Sequence, residues 1–215
     1  MKLLVVAALA LALTGARADP ATQTAIGLYS AGRYPEAAAA LRKILVSNPG
    51  NAAACFYLAE TLEHRSDEPS LRDATVLLER AVALAPGNEK FLAEYGGTCL
   101  VLADRDRSFT AAMRGRNAMT QAIALDPNDL DARTGLMRFY AQAPWPLGDS
   151  DLALAQAEAI GRRDPARGLR AFLRLDQIFE KHDDRPAARA ACRAALRLDP
   201  SNPVATAGLA RLRGP

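Results

Sequence analysis

The chain has 215 residues, of which half are apolar and only 6% are aromatic, and its formal net charge is +3. Ala and Leu dominate and runs of β-branched residues are absent, which excludes a sheet-rich fold and favours helices packed through small side chains. Without Lys2 and Arg17, which lie in the predicted signal peptide described below, the chain is close to neutral. Its basic residues are not interleaved with aromatic ones, which argues against a nucleic-acid-binding protein.

Residues 1–18 have the features of a secretory signal peptide. Lys2 provides a positive start, residues 3–13 form an apolar stretch, and Ala16 and Ala18 are the small residues that signal peptidase recognises before Asp19. The apolar stretch is shorter than the roughly 20 residues of a membrane span. We therefore expect cleavage after Ala18 and a periplasmic or secreted protein with no transmembrane span. The alternative is that this segment is a buried first helix.

From residue 19 onwards the sequence predicts an array of helix pairs. Five times a small residue precedes a proline by a constant twelve positions, and the prolines lie 37, 41, 38 and 35 residues apart. The small residue lets two helices approach closely, and the proline ends the second helix because it lacks an N–H donor. The pairs are Ala37 and Pro49, Ala74 and Pro86, Gly115 and Pro127, Ala153 and Pro165, and Ala188 and Pro200.

This pattern resembles the tetratricopeptide repeat family, whose units have about 34 residues. The match is best in the first unit, where residues 32–37 read Gly-Arg-Tyr-Pro-Glu-Ala, and weakest in the fifth, where Arg174 falls on an apolar position. The resemblance implies an all-α solenoid of five helix-turn-helix units with a short C-terminal capping helix. The expected units are residues 19–50, 51–87, 88–128, 129–166 and 167–201, and the cap is residues 202–215.

The residues in excess of the family period are predicted to lie between the two helices of a unit. They are segments 64–70, 101–108 and 142–148. Insertions in repeat arrays form loops on one face, and that face is often functional. The third segment contains Trp145 between two prolines. This tryptophan is a candidate contact residue for a partner, although a stiff Pro-Trp-Pro segment also suits packing back over the solenoid.

The resemblance further implies a groove for a partner, lined by the first helix of each unit. Stacked helix pairs form an extended concave surface, and the family uses positions two, five, nine and twelve of each first helix. The charged, polar and aromatic residues carried onto this sequence are Phe56, Glu60, Glu63, Lys90, Asp131, Thr134, Arg138, Phe172, Asp176 and Phe179. Phe172 and Phe179 fit equally well as core residues, so both interpretations stay open.

Charge is distributed unevenly along the chain. Residues 19–129 hold 11 basic and 14 acidic side chains, whereas residues 130–215 hold 14 and 10. The clearest feature is a basic stripe on the second helix of unit five, formed by Arg185, Arg189, Arg193 and Arg197. Residues spaced by four share one helix face. A solvated outer face explains the stripe, and contact with an anionic lipid, cell-wall polymer or acidic protein is the alternative.

The three cysteines, Cys55, Cys99 and Cys192, lie in three different units. An odd number cannot pair fully in an oxidising compartment. Because free cysteine behaves as a small hydrophobic residue, we expect three buried thiols. A disulfide between Cys55 and Cys99 in adjacent units is the alternative.

No catalytic motif is present in the sequence. His64 and His182 lie in different units without partners at metal-ligand spacing, and there is no nucleophile elbow, Walker loop or dinucleotide fingerprint. We expect no enzymatic activity, no metal and no cofactor. The predicted function is a periplasmic scaffold that binds a protein or peptide in the groove. The alternative is an envelope-associated structural protein that contacts an anionic surface through its basic C-terminal half.

Overall fold

The computed structural model describes residues 19–64, 68–144 and 146–212, which form eleven α-helices and no strand. The predicted signal peptide lies outside these residues. The helices are α1 (Pro20–Ser30), α2 (Tyr34–Ser47), α3 (Ala52–Glu63), α4 (Glu68–Leu84), α5 (Glu89–Asp106), α6 (Phe109–Leu125), α7 (Leu130–Gln142), α8 (Ser150–Arg163), α9 (Pro165–Lys181), α10 (Arg185–Leu198) and α11 (Pro203–Arg211). Across this described part of the chain, none of them has both the length and the apolar composition needed to cross a membrane.

Consecutive helices pack in pairs along the chain. The pairs are α1 with α2, α3 with α4, α5 with α6, α7 with α8, and α9 with α10, and α11 packs on α10 and α9. We call α1, α3, α5, α7 and α9 the first helices and their partners the second helices. First helices also contact one another, as α1 does α3 and α7 does both α5 and α9. The predicted all-α solenoid of five helix pairs with a short last helix is confirmed.

Three of the turns between pairs, and the turn from α10 to α11, share one local design. Each has four residues between the helices, and its last side chain accepts hydrogen bonds from N–H groups in the first turn of the next helix. These capping residues are Asn51, Asn88, Asp129 and Asn202. A proline two residues before each cap keeps the preceding helix from continuing, and the Asn or Asp starts the next one.

The turn between α8 and α9 departs from this design. Arg167 stands where the other turns have Asn or Asp, and α9 begins three residues ahead of the corresponding start, at Pro165. Asp164 is both the C-cap of α8 and the N-cap of α9, and its carboxylate accepts the Arg167 N–H at 2.9 Å. Proline suits the first helical position because its missing N–H would have no helical partner there. Pro165 therefore opens a helix instead of occupying a turn.

The packing of the pairs depends on small residues. The five small residues of the repeat pattern, Ala37, Ala74, Gly115, Ala153 and Ala188, are all buried. A Cβ added to Gly115 would lie 2.7 Å from Leu100 Cδ2 and 2.9 Å from the Gly96 carbonyl oxygen. Contacts of that length do not occur between such atoms, so the crossing of α5 and α6 requires glycine.

The inserted segments do not all form loops. In unit three α5 continues to Asp106, and Arg107, with a left-handed φ of 49°, ends it just before α6. The predicted loop is wrong there, because the extra residues lengthen the first helix. In unit two residues 68–70 belong to α4 and residues 65–67 lie outside the described residues. In unit four residues 143–144 and 146–149 are non-helical, and Trp145 lies outside the described residues.

The three cysteines are buried and free. The structure thus has the arrangement expected for small core residues, and the alternative disulfide between Cys55 and Cys99 is not formed in it.

Candidate partner-binding face

The side chains through which neighbouring first helices meet define one surface, which we call the first-helix face. Two groups of like-charged residues lie on it. The carboxylate cluster, on α3 and α5, consists of Glu60, Glu63 and Glu94. The arginine pocket, between α7 and α9, is formed by Arg138, Arg167, Arg170 and Arg174. The two ends of the face therefore carry opposite charge.

The carboxylate cluster ties three first helices together. Tyr29 Oη on α1 donates a hydrogen bond of 2.5 Å to Glu60 Oε2, and Thr98 Oγ1 on α5 donates to Glu63 Oε1. Both acceptors lie on α3, so these bonds join α1 and α5 to the helix between them.

Glu63 and Glu94 share a hydrogen bond within this cluster. Burial raises the pKa of Glu63, and burial with the charges of Glu60 and Glu63 raises the pKa of Glu94 to about 8. At neutral pH Glu94 is thus mostly protonated and donates to Glu63. In the part of the chain that the structure describes, no group of three or more His, Cys, Asp or Glu side chains is arranged to hold a metal ion.

Aromatic rings lie beside the carboxylate cluster. Lys90 Nζ lies 4.8 Å from the Phe56 ring centroid and 5.5 Å from that of Tyr57. The Tyr57 ring meets the Tyr29 ring edge-on at 5.4 Å. These contacts join α1, α3 and α5 and hold the ammonium group of Lys90 over aromatic faces, where it is attracted by the ring electrons.

The arginine pocket is a cavity of about 460 Å³. Its lining also includes Met137 and Ala171, which are buried, and Thr134, whose hydroxyl donates to the Leu130 carbonyl oxygen at 2.6 Å. At one edge Arg167 pairs with Asp131. Among the described residues, the guanidinium groups of Arg138, Arg170 and Arg174 have no hydrogen-bond or ion-pair partner.

Six of the predicted groove residues lie on the first-helix face. Each contacts a neighbouring first helix or lines the arginine pocket, and they are Glu60, Glu63, Lys90, Asp131, Thr134 and Arg138. Phe56 does not line an open groove, since it is 0% exposed and stacks on Phe91 at 4.6 Å. That any of the six contacts a partner stays a prediction.

The groove positions predicted for unit five are wrong. Phe172, Asp176 and Phe179 are buried. The reason is the early start of α9, which displaces its buried pattern by one residue. Leu175, and not Arg174, takes the buried position that Leu58, Tyr95 and Leu136 hold in the preceding units. Moving the groove positions by one residue gives Arg170, Leu173, Gln177 and Glu180, none of which is buried.

Sequence reasoning also missed several residues of the two charged groups. Arg167, Arg170 and Arg174 are spaced by three and four, which places them on one helix face, so this signal was present. Arg167, which stands where the other turns have a capping Asn or Asp, was a second signal. Glu94 gives no local signal, because its proton-sharing contact depends on how α3 and α5 pack.

Asp176 is a buried carboxyl at the small-residue position held by Ala59 and Gly96 in earlier units. Burial raises its pKa, and it shares a hydrogen bond with the thiol of Cys192. Arg211 Nη2 on α11 lies 3.8 Å from its Oδ2, while Oδ1 has no hydrogen-bond partner among the described residues. Asp176 thus belongs to the contact between α9 and the last helix, α11.

The basic stripe is a separate surface on α10. Arg185, Arg189 and Arg193 are exposed and line a second cavity, of about 490 Å³, together with Leu212. Arg197 pairs instead with Glu158 on α8 at 3.4 Å. The basic C-terminal half therefore presents arginines on a first helix and, separately, on a second helix.

No protein-family model and no curated protein matches the chain. Solved structures do. YrrB, described as a TPR protein with an unusual peptide-binding site, is 20% identical with a TM-score of 0.70, and the match covers 90% of this chain and 92% of YrrB. MamA is 20% identical with a TM-score of 0.67 over 83% of this chain and 90% of MamA. TTC0263, a thermophilic TPR protein from Thermus thermophilus, is 18% identical with a TM-score of 0.55 over 89% and 96%. These similarities confirm the predicted resemblance at the level of the fold.

Proposed function

We propose that this chain, whose fold is that of tetratricopeptide-repeat solenoids, is a scaffold that binds a protein or peptide along its first-helix face. The observation that supports this most is the arginine pocket, where three guanidinium groups without partners among the described residues converge on one cavity. Charged donors left unmatched in a recess give specificity for a partner of opposite charge. YrrB, which has a similar fold, is described as having a peptide-binding site.

The proposed role is not enzymatic. Burial raises the pKa of Cys55, that of Cys99 to about 11 and that of Cys192 to about 12, so the reactive thiolate form is scarce at neutral pH. His64 stacks on the Tyr34 ring with 3.9 Å between centroids. The three cysteines therefore serve packing and His64 makes an aromatic contact, which supports a binding surface over a reactive centre.

We place this scaffold in the periplasm, on the pattern of residues 1–18. N-terminal sequencing of the native protein tests this placement. The mature chain should begin at Asp19, since Ala16 and Ala18 match what signal peptidase requires. An intact Met1 would contradict the location.

Site-specific photo-crosslinking in cells tests the binding face. A photoreactive residue at Lys90 or Arg138, both exposed on first helices, should crosslink to the same partner. The matched control is Val46 on α2, which is 84% exposed on a second helix, and it should give no such product. Crosslinks from Val46 alone would overturn the proposal.

A second candidate function is contact with an anionic envelope surface through the basic stripe. The cavity lined by Arg185, Arg189 and Arg193 favours it. Sedimentation with envelope fragments should then fall steeply with added salt, because salt screens exposed charges. Reversing Arg189 and Arg193 to Glu should abolish sedimentation, whereas reversing Arg138 should not.

A further inference from the structure

We propose that the arginine pocket is a subsite for carboxylates of an acidic peptide segment, which enters the first-helix face with its acidic end between α7 and α9. This inference rests on the proposed function and names the chemistry of the partner.

The first argument is unbalanced charge. Arg167, Arg170 and Arg174 follow one another on one face of α9, where like charges three and four residues apart repel. Arg138 adds a fourth positive charge from α7. Asp131 neutralises Arg167 alone, and the other three have no acidic partner among residues 19–64, 68–144 and 146–212. A ligand carrying two or more negative charges would relieve this repulsion.

The second argument is the match to carboxylate geometry. A guanidinium group presents N–H donors in a planar fork that binds a carboxylate through two parallel hydrogen bonds. Buried Met137 and Ala171 line the same cavity, and an apolar lining strengthens charge–charge attraction by lowering the local polarity. The hydroxyl of Thr134 is committed to the Leu130 carbonyl oxygen. The donors that remain for a ligand are therefore those of the arginines.

The third argument concerns why the ligand is a peptide segment. A cavity of about 460 Å³ lies within the range of roughly 300–1,000 Å³ typical of sites for small ligands and side chains. The same face carries Glu60 and the Glu63–Glu94 pair towards α3. A uniformly anionic surface would be repelled there, whereas an extended segment with acidic residues at one end fits both halves. The charge difference also sets the direction in which the segment lies.

The fourth argument is that the pocket arises where the repeat pattern is broken. Arg167 replaces the capping Asn or Asp of the other turns, and the early start of α9 brings Arg170 and Arg174 onto the first-helix face. Departures from a locally consistent pattern are expected at functional positions.

Fluorescence anisotropy with labelled peptides tests the proposal on the full-length protein. The probes are an octapeptide with four glutamates, its glutamine counterpart and its lysine counterpart. We expect the glutamate peptide to bind, its affinity to fall with salt, and the glutamine peptide to bind at least about tenfold more weakly, which corresponds to the loss of one strong charged contact. The lysine peptide should not reach the pocket.

The variant Arg170→Gln with Arg174→Gln should weaken binding of the glutamate peptide at least about tenfold. Both side chains are exposed, so helicity and melting should be kept, or rise slightly because repulsion between the arginines is removed. The matched control is Arg189→Gln with Arg193→Gln in the basic stripe, which removes the same charge from α10 and should keep the affinity within about twofold.

Several results would overturn the proposal. One is an equal loss of affinity for the glutamate peptide in the two double variants. Another is a loss of that affinity only in Arg189→Gln with Arg193→Gln, and a third is equal affinity for the glutamate and glutamine peptides. Displacement of the peptide by inorganic phosphate at concentrations where acetate has no effect would identify a phosphate site instead. If Lys90 and Arg138 crosslink to a partner but the glutamate peptide does not bind, the acidic-segment inference fails and the proposed function stands.

Discussion

Glu94 is a carboxyl group that the fold keeps largely neutral. It lies on α5 against Glu60 and Glu63, with Lys90 as the nearby positive charge. Neighbouring carboxylates in a partly dehydrated site cannot all stay ionised, so Glu63 and Glu94 share a proton and titrate as a pair. The negative charge at this end of the first-helix face is therefore smaller than a count of its glutamates suggests.

We expect Glu94 to make stability depend on pH. Its pKa is 4.5 as a free side chain and about 8 in the fold, so the native state binds more protons than the unfolded state between these values. The free energy of unfolding should fall as pH rises through this window. Glu94→Gln should remove most of the slope and add about 1–2 kcal/mol at the alkaline end, a figure reduced for partial hydration. Urea unfolding at several pH values between these two pKa values measures the slope.

The control for this experiment is Glu79→Gln. Glu79 is exposed and faces Arg114 at 4.0 Å, so its replacement should leave the slope unchanged. A Glu94→Gln variant that retains the full slope would show that Glu94 is ionised in the native protein.

Most features of the helices could be predicted from the sequence, but the start of α9 could not. Helix order, capping residues and buried small residues follow from proline, Asn/Asp and Ala/Gly spacing, since each depends on local chemistry. The start of α9 depends on which residue caps it. Asp164 does so, because Arg167 stands where the other turns have Asn or Asp, and a repeat pattern of fixed spacing does not predict this shift. The carboxylate cluster joins residues 35 positions apart, such as Glu63 and Thr98, and no local pattern contains that information.

The junction of α8 and α9 gives a second prediction. A Cβ on Gly168 would lie 2.3 Å from Gly161 Cα, and a backbone atom cannot rotate away. Gly168→Ala should therefore destabilise the protein by about 1–3 kcal/mol. Gly27→Ala on α1 is the control, because nothing lies within 4 Å of its added Cβ and alanine should stabilise that helix by about 0.5–1 kcal/mol. Chemical unfolding compares them, and equal stability of Gly168→Ala and wild type would refute the close crossing.

Across the whole molecule, substantial contacts join helices no more than two apart in the described chain. The buried residues form one cluster from α1 to α7 and another from α7 to α11, linked by a smaller group of Met119, Leu136 and Phe139. Stability in such an array is a sum over neighbouring units, so damage at one end should stay local.

Removal of residues 202–215 tests this locality. Loss of α11 uncovers the side of α9 and α10 where Asp176 and Cys192 lie. Amide hydrogen exchange should accelerate in α9 and α10 while α1 to α4 keep their protection. Deleting residues 213–215 alone keeps α11 and should have no effect on either region. Uniform acceleration in all helices would mean that the array unfolds as one cooperative unit.

The single residue between α8 and α9 has a mechanical consequence. Four-residue turns connect the other pairs, whereas Asp164 caps both helices at once and leaves no free backbone to flex. Bending of the solenoid should therefore concentrate at the longer connections, and α8 and α9 should move together. One wall of the arginine pocket, α9, belongs to that pair, and the other, α7, packs directly on both α8 and α9. The pocket should therefore keep its width, so a ligand should lose less entropy on entering than it would in a compliant cleft.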